Sequence, residues 1–239
     1  MTDLLATVLA AHGGLHRWHA VTSASVRVRR DGAIWAIKGR PEVPDIIDVT
    51  LDLRRPCRAR IVSAATGQVA SVTPDRVVVT GIGGARIDEL IDPRASFAGH
   101  GLDTPWSVAQ AAYLSGYALW TYLAMPFLLA RPGLHTEEIA PWISGPTTLR
   151  RLRATIPDTI PTHSPIQTLF VDESGLVVRH DYTVEIVGGG LAAQFLSDYV
   201  AVCGLMIPTT RRIYARQPDG RVIPEPVAAS YDLSGLRLL

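Results

Sequence analysis

The chain has 239 residues, with 23 basic side chains against 22 acidic ones and a formal charge of +1, a balance that leaves no electrostatic footprint for nucleic acid or an anionic membrane surface. With 47% apolar and 19% charged residues and a mean hydropathy of +0.18, it is far from the composition of disordered chains and long enough to bury a core without disulfides or a structural metal. Cys57 and Cys203 have no Cys-x-x-Cys spacing, which excludes zinc ribbons and thioredoxin-type motifs and reads as two buried free thiols in a reducing compartment.

The first expected element is an apolar helix over 3–12, ended by Gly13-Gly14. Asp3 stands where a secretory leader carries positive charge, and no early cysteine could take a lipid anchor. As given, the chain therefore reads as cytoplasmic, or as periplasmic if a leader has been removed. His12, His16 and His19 would share one face of an unbroken helix, but the double glycine interrupts it and no carboxylate or cysteine joins them. They read as a solvated cluster at a helix end, so no metal is expected, and no cofactor motif appears elsewhere.

From about 22 to 92 the pattern has period two. Ala24, Val26 and Val28 share one face, Ser25, Arg27 and Arg29 the other. Asp31-Gly32 reads as a two-residue hairpin turn that would set Arg30 opposite Ala33, Val28 opposite Trp35 and Val26 opposite Ile37. Ile47, Val49, Leu51 and Leu53 then alternate with polar residues, and further strands are expected at 58–64, 68–73, 76–80 and 86–91. The glycines at 81–84 look like a phosphate loop, but Arg86 occupies the last glycine position and Pro93 cuts the segment short, so a hairpin turn is expected.

Between Thr104 and Ala130 the chain runs 27 residues without a charge, long enough for a membrane span. Ser107, Gln110, Ser115, Thr121 and three tyrosines argue against one, as do the strand-rich flanks that a bilayer would divide. The segment reads instead as a buried helical insertion over about 104–131, kinked or broken at Pro126, and not as an integral membrane anchor. Strands resume at 149–156, 166–171, 176–186, 192–203, 206–216 and 228–238, so the second strand region covers about 149–238. Strands, a helical insertion and strands again give an α+β fold. A large curved antiparallel sheet forms a half-open β-barrel with central helices filling its concave side, as a single domain over 1–239.

Three stretches carry a resemblance. AHGGLHRWHAVTSASVRV at 11–28, GLVVRHDYTVEI at 175–186 and CGLMIPTTRRIY at 203–214, with Gly204 and Pro208 leading into a late strand, resemble the outer-membrane lipoprotein-sorting superfamily. That resemblance implies a half-open barrel of about eleven antiparallel strands around plugging helices. It also implies an apolar cavity that takes lipid or acyl chains, and proteins that work mostly in the periplasm.

Two groups of residues are candidates for a site. In 176–186, His180 shares a face with Leu176, Val178, Tyr182, Val184 and Ile186 and should point inward. A five-residue loop at 187–191 would pair Ile186 with Ala192 and place His180 against Asp198, either as a buried pair that fixes register or as a polar anchor for a ligand. Trp106, Tyr113, Tyr117, Trp120 and Phe127 recur near helical spacing along the insertion, either as core or as the lining of a cavity that also takes in Tyr182. Apart from Lys38 every basic residue is arginine, and the arginines are scattered and balanced by acids, which reads as wetted strand faces rather than an anion site. The leading expectation is a non-enzymatic binder or carrier of a lipophilic small molecule or acyl chain. The alternatives are an enzyme using His180 and Asp198 in the same cavity and a structural or partner-binding protein; oligomeric state is undetermined.

Overall fold

In the computed structural model, which describes residues 4–239, thirteen antiparallel strands form one unclosed sheet that curls round a central helix. The chain opens with α1 (Leu4–Ala11) and, past Gly13-Gly14, a second short helix α2 (Leu15–Ala20). Asp3 lies outside the described residues. Next come β1 (Ser23–Asp31), a single helical turn α3 (Ala33–Ile37), and the meander β2 (Asp45–Asp52), β3 (Arg58–Ser63), β4 (Val69–Val72), β5 (Arg76–Thr80) and β6 (Arg86–Ile91). After α4 (Val108–Ala124) follow β7 (His135–Ser144), β8 (Thr147–Thr155), β9 (Ile166–Val171), β10 (Val177–Val184), β11 (Gly190–Val202), β12 (Leu205–Ala215) and β13 (Ala229–Leu238). The spatial order is 6-5-4-3-2-1-13-12-11-10-9-8-7. The two halves of the sequence therefore meet where β1 pairs with β13, and β6 and β7 are left as open edges.

The Asp31-Gly32 hairpin does not form. Val28 pairs with Ile47 of β2 and Leu233 of β13, and Val26 with Val49. Residues 33–37 turn into α3, whose first amides bond to the carbonyls of Val227 and Ala228. Gly32 is at the corner with φ +118, and a Cβ there would lie 2.5 Å from the Ala229 Cα, so the close approach of the two backbones needs glycine. The reward for the helical turn is burial of Trp35 beneath the Arg30 guanidinium, 4.8 Å from its ring centre.

β7 was not expected. Its paired glutamates 137 and 138 and its Pro141 break the alternation, and none of its residues is buried. An edge strand tolerates both, since its outer amides have no ladder to join, and a bulge between Ile139 and Trp142 absorbs the proline. The structure thus has thirteen strands where the resemblance implied about eleven.

The uncharged insertion folds as expected. A capping box of Ser107 and Gln110 starts α4, in which Ala109 to Ala124 are all buried, and Pro126 begins a separate 3-10 turn at Phe127–Ala130. No helix among the described residues is long and apolar enough to cross a membrane. α4 packs against β3–β6, and contact is closest at Gly116, where a Cβ would meet the Val72 side chain at 2.7 Å. α1 covers the other end of the sheet through a smaller apolar cluster of Leu4, Val8, Leu152, Leu169 and Val177. His12 is not solvated: it is buried and its Nδ1 donates to the Val8 carbonyl at 2.8 Å, while His16 and His19 are exposed. Of the two cysteines, both free, Cys57 is buried but Cys203 is exposed, against the expectation of two buried thiols.

Candidate functional site

Beyond the part of the sheet that α4 covers, β9–β13 carry an inward belt of polar side chains. Pairing sets His180 opposite Gln194, Gln194 opposite Ile213, and one step along the same face Arg211 opposite Tyr231. Tyr231 in turn faces Arg30, and Arg30 faces Asp45.

His180 does point inward, but Asp198 is not its partner. The β10–β11 loop has five residues as expected, yet it spans 185–189 because Glu185–Val187 closes a 3-10 turn before the left-handed Gly188. Starting two residues early shifts the register by four, an even number, so the residue opposite the inward His180 is again an inward one, Gln194. Asp198 lies on the exposed surface in a left-handed bulge, φ 55, where its carboxylate accepts from the Ser197 hydroxyl. His180 instead donates from Nε2 to Gln167 Oε1 at 2.7 Å. The orientation follows from Gln167, whose Nε2 donates to Thr162 Oγ1 at 2.7 Å and to the Ser164 carbonyl at 2.9 Å. Burial, reinforced by the Arg211 charge, pushes the His180 pKa down to about 3, so the ring is neutral.

Beside it is a second histidine that sequence reasoning missed. His163 stacks on Tyr182 at 4.2 Å between ring centres, with the Tyr117 hydroxyl 3.2 Å from Nδ1 and the Tyr122 hydroxyl 3.1 Å from Nε2. Tyr122 and Tyr182 hydroxyls are 3.2 Å apart. A neutral imidazole has one donor and one acceptor, so one phenol donates to it and the other accepts. Burial holds His163 well below its usual range and raises the phenols, Tyr122 to about 12, so the whole network is uncharged.

Above these rings is a cavity of about 140 Å³, walled by Trp106, Leu114, Tyr182, Ala192, Ile213 and Tyr231. Its rim includes Ile34 and the half-exposed Leu102. Lys38 secures this rim: its Nζ donates to the Gly101 carbonyl at 2.7 Å and the Thr104 carbonyl at 3.2 Å, and it sits 4.9 Å from the Trp106 ring centre. Trp106 Nε1 is buried without a partner. The aromatic stripe is thus divided. Trp106 lines this cavity together with Tyr182, and Tyr117 reaches it only through His163. Tyr113 packs near Phe97 and borders a separate polar cleft of about 570 Å³ that also holds Arg94, Asp92 and Glu185. Trp120 donates to the Asp52 carbonyl at 2.9 Å and faces a different pocket of about 260 Å³ beside Trp18 and Phe127.

No protein-family model matches the chain, and no curated protein sequence does. Among solved structures it is similar to a LolA superfamily protein from Nitrosomonas europaea, with a TM-score of 0.53 and 12% identity over 98% of this chain and 92% of that one. It is also similar to a DUF1329 family protein from Desulfovibrio piger, with a TM-score of 0.50 and 13% identity over 99% of this chain and 94% of that one. At such identities the likeness is one of fold. What is shared is the open antiparallel sheet wrapped on a helix, a LolA-like fold.

Proposed function

We propose that the protein binds or carries, without chemical change, one lipophilic small molecule or acyl chain in the cavity beside α4. The observation behind this reading is the cavity's wall, which is almost wholly carbon although it adjoins a belt of polar groups. The pocket of about 140 Å³ presents almost only carbon, and an apolar occupant would remove that surface from water. A void of roughly this size holds a benzene-sized group. It would therefore seat one ring or a short run of methylenes, and a longer chain would leave over the rim at Leu102. Resemblance to the lipoprotein-sorting superfamily supports the same class of ligand and a periplasmic setting, where the sequence by itself read as cytoplasmic. The enzymatic alternative loses its working pair, because His180 and Asp198 lie on opposite faces of β10–β13.

The test is tryptophan emission. A fluorescent acyl probe added to the purified protein should quench Trp106 saturably with one-to-one stoichiometry, and Trp106→Phe should remove most of the quenching while Trp120→Phe leaves it in place. Absence of saturable binding at micromolar probe would reject the reading.

A further inference from the structure

We propose that Arg211 and Gln194, in the polar belt behind the cavity wall, form a carboxylate site, so that the ligand is a free monocarboxylic acid bound with its acid group inward. This rests on the binding function proposed above and specifies its ligand.

Among the described residues three arginines are buried, Arg30 and Arg211 on the inner face of the sheet and Arg179 on the outer, and two of them have a carboxylate. Arg30 makes a bidentate pair with Asp45 at 2.9 and 2.6 Å and donates to Ser115 Oγ at 2.8 Å. Arg179 makes one with Asp181 at 2.7 and 2.8 Å and donates to the Gly220 carbonyl. Arg211 is 1% exposed, more deeply buried than either, and no carboxylate among the described residues forms an ion pair with it. Its Nη2 donates to the Tyr122 carbonyl at 2.8 Å and its plane lies 4.7 Å from the Tyr122 ring centre, but Nε has no acceptor. A guanidinium removed from water without a counter-ion is strongly unfavourable.

Nothing around it supplies the charge. Tyr122, Tyr182, Tyr199 and Tyr231 are held protonated by burial, and His12 and His180 are held neutral. Next to Arg211 in the belt, Gln194 is fully buried, and its amide is shared weakly between His180 and Tyr122, with no well-aligned hydrogen bond at either its nitrogen or its oxygen. Neither residue lines the cavity itself, but both share a sheet face with residues that do: Gln194 is opposite Ile213 and two residues from Ala192, and Arg211 is opposite Tyr231 and two residues from Ile213. A carboxylate entering here would accept from the guanidinium fork and from the Gln194 amide, and its negative charge would be the missing counter-ion. An ester, amide or alcohol of the same chain brings no charge, so the site discriminates a free acid from an esterified acyl group.

Calorimetric titration at neutral pH with octanoic acid and with methyl octanoate tests this. The wild type should bind octanoate at least about tenfold tighter than the ester, the scale of one charge-assisted pair. Arg211→Met should remove that preference, weakening octanoate while leaving the ester within about twofold. Arg211→Met should also raise the unfolding midpoint of the ligand-free protein, because it deletes an uncompensated charge. If that variant does not fold, Gln194→Leu provides the same comparison, weakening octanoate and sparing the ester. Equal affinity of the wild type for acid and ester would overturn the carboxylate site and leave the lipophilic cavity standing; binding of neither would overturn both.

Discussion

The two halves of the concave face are filled in different ways. On β3–β5 the inward residues are Val, Ile and Ala packed against α4 so closely that Gly116 leaves no room for a methyl group. On β10–β13 the corresponding positions hold His180, Gln194, Arg211, Tyr182 and Tyr231, beside a cavity. The first half gains stability from dry packing. The second accepts unpartnered polar atoms that a purely structural core would eliminate. The sharpest contrast is between two arginines one strand pair apart from Tyr231: Arg30 is paired and Arg211 is not.

That contrast can be broken first at Asp45. Asp45→Ala strands the Arg30 charge against Ser115 of α4 and should cost about 3–5 kcal/mol in denaturant unfolding. The sign should be opposite to that for Arg211→Met, and a similar loss in both variants would erase the distinction between them. Gly116→Ala forces α4 away from Val72 and should cost about 1–3 kcal/mol, with octanoate affinity unchanged because Gly116 does not touch the cavity; a neutral effect would mean that the helix is loosely seated.

Acid titration gives a smaller and more gradual effect. His180 and His163 are neutral in the folded protein, with pKa values below 6.5, so below that pH the unfolded chain binds protons that the folded one does not. Stability should fall as the pH drops from 7 through 6 toward 4, each histidine adding about 1.4 kcal/mol per pH unit once below the unfolded value. His163→Phe should flatten this slope, and an unchanged slope would place the charge linkage elsewhere.

Much of the fold was legible because period two survives wherever one face is wet. β2–β6 and β8–β13 fall within a few residues of where alternation puts them. α3 was not legible, since its pull is the burial of Trp35 under β13, a contact between residues far apart in the chain. In the site, parity carried His180 inside correctly, but pairing with Asp198 depended on where a glycine-rich loop begins, which a 3-10 turn decided. The same parity was available for Arg211, which shares its strand face with the buried Ile207 and Ile213. It went unread because twenty-odd balanced arginines look like surface. His163, in a proline-flanked loop outside any periodic segment, gave no sequence signal at all.

Native mass spectrometry of gently purified protein tests most directly whether the cavity holds one lipophilic ligand. The account predicts a single small molecule retained at one-to-one stoichiometry, released by organic extraction, and absent from Ala192→Phe, whose ring would fill the space. A bare protein mass in every preparation, with no uptake of added octanoic acid, would contradict it.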